Sequence, residues 1–104
     1  MVMATAEKIP LVVDHIEVTA GVSGGRPRIR GTRVKVSEIA RRHVEEGESA
    51  DEIVDALPRL TLAQVYAALA YYYDHREEIE RELRGQDDLV GRLAREYAPH
   101  LGSE

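Results

Sequence analysis

Seven cations crowd the stretch from Arg26 to His43: Arg26, Arg28, Arg30, Arg33, Lys35, Arg41 and Arg42, opposed there by Glu38 alone. Guanidinium and ammonium groups at this density suit phosphate binding. Arg26, Arg28, Arg30, Lys35, Arg41 and Arg42 are therefore candidates for gripping the backbone of double-stranded DNA. Thr61 and Gln64 are candidates for base edges, since a glutamine amide can pair with adenine and a threonine can meet a phosphate or a thymine methyl; Ala63 and Ala67 share that spacing. The same cations have a second use, as edge-strand charges that discourage aggregation or as ion-pair partners for the acids that follow. Arg33 stands apart, because a guanidinium beside helix carbonyl ends would fix a hairpin onto the helices.

Other chemistry finds no support. His15, His43, His75 and His100 never occur at the three- or four-residue spacing of a helix-borne metal site, and there is no Cys, so no metal is expected. Ser23, Ser37, Ser49 and Ser103 lack a motif that would activate a nucleophile, and Gly21 to Gly31 does not fit a phosphate loop opening into a helix. The expectation is a protein that binds rather than catalyses, with no cofactor.

The net charge of −5 conceals an alternation along the chain. After the basic block, Val44 to Leu57 holds six acids and no base, and Asp74 to Glu104 holds nine acids against five Arg. With 104 residues and 43% apolar content, the chain fits one domain spanning 1–104. Phe and Trp are absent, so aliphatic residues and five Tyr must fill the core, a composition that suits helices. No apolar run approaches the roughly 18 residues needed to span a bilayer, so no membrane association is expected and the cytoplasm is the default location.

Three segments must position the candidate residues. Residues 16–36 read as a β-hairpin and extended arm: Ile16 to Thr19 alternates, Gly21, Gly24 and Gly25 allow a turn, and Pro27 marks the second strand as an edge. Ile9 to Val13 offers a further edge strand. Residues 37–73 read as three helices. The first is capped by Ser37 and runs to about Glu46 before Gly47. The second is opened by the Ser49/Glu52 capping box and stopped by Pro58, and the third is opened by the Thr61/Gln64 box. The third helix is expected to run unbroken to Arg84, its C-terminal half meeting a partner.

Residues 74–104 form a helical extension, with a last helix capped by Asp87 or Asp88 after Gly85. Leu89, Leu93 and Tyr97 on its apolar side are candidates for partner binding. So is Tyr71, because Tyr71, Tyr72 and Tyr73 cannot all face one core. The fold class is mainly α with a small N-terminal β element: a trihelical helix-turn-helix followed by a C-terminal helical extension. In such a unit the last helix enters the major groove, although the same spacing also describes a plain packing module. Leu60 to Tyr73 carries no Lys or Arg.

The run Gly24-Gly25-Arg26-Pro27-Arg28-Ile29-Arg30-Gly31-Thr32-Arg33-Val34-Lys35-Val36 resembles the G-G-x-P-x-I-x-G-T-R-x-x-V signature of the family called domain of unknown function four-three-three. The resemblance continues through Ser49-Ala50-Asp51-Glu52-Ile53 and Leu57 to Val65, covering about Ile16 to Tyr73. It implies a homeodomain-like fold with an N-terminal β element, and members are often encoded beside PIN-like nuclease toxins as VapB-like antitoxins. A homodimer that binds its own operator DNA and a PIN-like toxin is the expectation that follows. The rival is a protein-binding adaptor without DNA activity.

Overall fold

The computed structural model of the chain describes residues 15–101, with side chains described through Tyr97. The edge strand expected at Ile9 to Val13 lies outside the described residues.

The N-terminal arm is a two-stranded antiparallel sheet, β1 (Ile16–Glu17) and β2 (Arg28–Ile29), in the register Ile16 opposite Ile29 and Glu17 opposite Arg28. A short 3-10 turn at Ser23–Gly25 reverses the chain, with Gly24 at φ 67°, where a side chain would be strained. The turn at Gly31 is stitched by Thr32, whose hydroxyl donates to the Ile29 carbonyl (2.8 Å) and accepts from the Val34 N–H (3.0 Å). The Val36 N–H donates to the Pro27 carbonyl at 2.9 Å, tying the arm to the first helix.

Helix α1 (Val36–Val44) begins earlier than the sequence suggests. Lys35, not Ser37, is the N-cap residue, and its backbone N–H donates to the Glu38 carboxylate. Ser37 is fully buried and turns its hydroxyl toward Gln86 instead. Gly47, at φ 71°, supplies the expected left-handed residue beyond α1. Helix α2 (Ala50–Ala56) and helix α3 (Leu62–Asp74) open with the expected capping boxes: the Ser49 and Thr61 hydroxyls accept from the backbone three residues on, and Glu52 and Gln64 reach back.

The chain does not continue as one helix to Arg84. His75 leaves helical geometry at φ −133°, its ring stacks on Tyr71 with centroids 4.0 Å apart, and helix α4 (Arg76–Leu101) starts afresh. The physical reason is burial. A straight α3 would carry Ile79 and Leu83 into water, whereas the bend returns both to a core of Ile29, Val36, Ile39, Ile53, Val65, Leu69 and Tyr72. The proximal half of α4 is thus core, contrary to the expectation that this stretch meets a partner. Nor does Gly85 end a helix: α4 passes through Gly85 and Gly91, so Asp87 and Asp88 are helix-interior residues rather than caps. Each glycine costs up to about 1 kcal/mol against Ala. Packing of Ile79 and Leu83 offsets the first, and Asp87 is occupied by Arg41 at 2.9 Å.

Candidate interaction surfaces

The fold divides the basic block into interior, paired and open cations. Arg28 is only 7% exposed: its guanidinium lies 3.3 Å from the Glu17 carboxylate and donates to the Thr32 carbonyl and the Thr19 hydroxyl. Burial takes it out of reach of a DNA backbone, and its three partners all lie within the arm, so it braces the hairpin itself; Arg33, which the sequence suggests as an anchor onto the helices, is left exposed. Arg41 spans Glu45 (3.1 Å) and Asp87 (2.9 Å), and Arg42 donates to both oxygens of Glu48 at 3.1 Å. Arg30 lies 4.0 Å from Glu17. Arg26, Arg33 and Lys35 have no acidic partner among the described residues.

At the start of α3, Thr61 and Ala63 are exposed, but the Gln64 amide oxygen is held 2.8 Å from the Thr61 N–H. Ala67 is buried and packs inward, which removes it from any base-reading face. The sequence gives no hint that Arg33 and Arg59 share a cleft. The fold brings them together around an open cavity of about 570 Å³ between the Gly31 turn and the α2–α3 connection, with Leu60 at its edge.

The tyrosines sort differently from expectation. Tyr71 is half-buried, stacked on His75, with its hydroxyl donating to Glu78 at 3.4 Å; Tyr72 is in the core and donates to Glu80 at 2.9 Å. Burial, then the neighbouring Glu78, raises the Tyr71 phenol above its ordinary value; burial, then Glu80, does the same for Tyr72. Tyr73, Tyr66 and Leu62 are the large apolar residues that α3 exposes.

Along α4 one apolar row recurs at helical spacing, with Ile79, Leu83, Val90, Leu93 and Tyr97 three, four or seven residues apart and Leu89 beside it. The row is buried at Ile79 and Leu83, then uncovered: Val90 is 65% and Tyr97 59% exposed, and Leu89 and Leu93 are exposed as well. Asp87 and Glu96 flank the uncovered part. A groove of about 590 Å³ opens where the row changes character, between the Ser23–Arg26 turn, Lys35 and α4.

Among the described residues no group of three His, Asp or Glu side chains could hold a metal ion, and no helix is long and apolar enough to cross a membrane.

The model of a family described as protein of unknown function, DUF433, matches residues 16–72. The crystal structure of a DUF433 member from Anabaena variabilis ATCC 29413 superposes with a TM-score of 0.64 at 35% identity, over 68% of this chain and 69% of that one. No curated protein matches.

Proposed function

The chain belongs to the DUF433 family of proteins of unknown function, and from that premise we propose that it is an antitoxin-like helix-turn-helix protein that docks a partner protein along the distal half of α4. The observation that carries this reading is the continuity of the α4 row. Helical spacing is kept past Leu83, but the cover ends, leaving Leu89, Val90, Leu93 and Tyr97 on a helix that projects from the core. An uncovered apolar row on a rigid helix is a form that partner grooves accept. A PIN-like nuclease toxin is the partner that the family resemblance suggests. In this reading the protein is cytoplasmic, has no catalysis of its own and forms a homodimer, for which Leu62, Tyr66 and Tyr73 are the uncovered residues of the helix-turn-helix unit. Co-expression with a PIN-like nuclease encoded beside it, followed by purification through a tag on the nuclease, tests the reading. Co-elution of both chains supports it, and a nuclease that elutes alone overturns it.

A second reading, operator binding, is favoured by the cleft shared by Arg33 and Arg59, whose lining reaches Leu60 just ahead of the uncharged start of α3. Binding to the upstream DNA and to a random duplex of equal length, at two salt concentrations, tests it. Tighter, salt-sensitive binding to the upstream fragment supports autoregulation. Equal failure on both duplexes leaves a protein-binding adaptor.

A further inference from the structure

Glu82 faces inward from α4 between Ile79 and Leu83, with only 6% of its surface exposed, and neither carboxylate oxygen has a hydrogen-bond partner. A carboxylate taken out of water without a donor is an unfavourable arrangement, which a bound donor would relieve. Glu82 also lines the groove of about 590 Å³ between the Ser23–Arg26 turn and α4. Three cations, Arg26, Lys35 and Arg81, line the same groove, and none forms an ion pair among the described residues. Gly85 keeps one wall bare, since a Cβ there would meet nothing within 4 Å.

We propose that this groove binds a small free amino acid with a cationic side chain, whose N–H donors pair with Glu82 while its carboxylate is held by Arg26, Lys35 and Arg81. Both signs of charge are needed. A cation alone would enter against three positive groups, and an anion alone would leave Glu82 unsatisfied. The two orphaned oxygens match the two parallel N–H groups of a guanidinium, so free L-arginine, which carries that group and a carboxylate, is the probe. The Glu82 oxygens are nearly covered, and the long side chains of Lys35 and Arg81 are the parts of the rim that can move aside.

The full-length protein, labelled with nitrogen-15, is titrated with L-arginine, with L-citrulline and with Nα-acetyl-L-arginine amide. The amides of Ser23 to Arg26 and Gly85 to Leu89 are expected to move with L-arginine. L-citrulline, which lacks the cationic side chain, and the capped arginine, which lacks the carboxylate, should each bind at least about tenfold more weakly, a difference of 1.4 kcal/mol. Glu82→Gln should lose the response. So should Gly85→Leu, which fills the groove from an exposed helix position and leaves the charges in place. Silence of these amides towards L-arginine, or an unchanged response in either variant, overturns the proposal. Equal binding of the capped arginine overturns it in favour of a protein-borne side chain. A loss of unfolding free energy in Lys35→Met that vanishes in the Glu82→Gln background overturns it in favour of an internal ion pair.

Discussion

Arg28 and Glu17 stand directly opposite each other across the two-stranded sheet, guanidinium 3.3 Å from carboxylate, with Thr19 bridging them by accepting from Arg28 and donating to Glu17. Their pairing ties the most buried member of the basic block to the arm, so that what looks like a DNA contact in sequence is part of the interior.

Arg28→Ala should destabilise the protein by about 1–3 kcal/mol, because it removes donors from Thr19, Thr32 and Glu17 together. Arg33→Ala, at an exposed position, should stay within about 0.5 kcal/mol. Urea unfolding of both variants checks the contrast, and equal effects would remove the distinction between the two arginines.

The two halves of α4 should respond in opposite ways. Ile79→Ala should cost about 2–4 kcal/mol, the usual range for truncating a fully buried isoleucine. Leu93→Ala should change the isolated protein by no more than about 0.5 kcal/mol. A chain ending after Gly85 should remain folded, since it keeps Ile79 and Leu83, and circular dichroism with thermal melting reads this directly.

Glu52 makes stability sensitive to acid. The Ser49 backbone N–H, then the Ser49 hydroxyl, holds its carboxyl below the ordinary value of 4.5. A carboxyl lowered in the folded state contributes stability above its unfolded value, and that contribution is lost as pH falls through the folded one. Glu52→Gln should therefore flatten the pH dependence of unfolding below about 4.5 and leave its slope at neutral pH unchanged. An acid limb as steep as that of the parent would contradict this origin.

If operator DNA is bound, neutralising Arg26, Arg33 and Arg59 should weaken binding to every duplex and reduce the salt slope by roughly 0.9 for each phosphate that no longer meets a cation. Neutralising Arg41 and Arg42 should have a smaller effect, because each already spends its charge on Glu45, Asp87 or Glu48. Mobility shifts across a salt series separate the two sets, and a larger effect from the Arg41 and Arg42 pair would move the interface to α1.

Local rules made the caps of α2 and α3, the stop at Gly47 and the short hairpin legible in the sequence, because each depends on residues within a few positions of one another. The break at His75 was not legible. No proline or glycine marks it, and its cause is the burial of Ile79 and Leu83 against α1 and α3, a long-range effect. The same limit explains Arg28 and Arg33: five residues apart with identical side chains, they are separated only by which one Thr19 and Glu17 enclose. Asp87 reads as a cap until the fold sets it beside Arg41, 46 positions away. Leu89, Leu93 and Tyr97 were readable as a helix face, but only the tertiary structure shows where the cover over that face ends.

The docking role proposed for distal α4 is tested most directly by titration calorimetry of a PIN-like nuclease, where one is encoded beside this protein, into the parent protein and into Leu93→Asp, with urea unfolding of both run alongside. The account predicts saturable binding to the parent, binding at least about tenfold weaker to the variant, and coincident unfolding curves. Equal affinity for both proteins would contradict it, as would a variant whose unfolding midpoint falls, since Leu93 would then belong to the core.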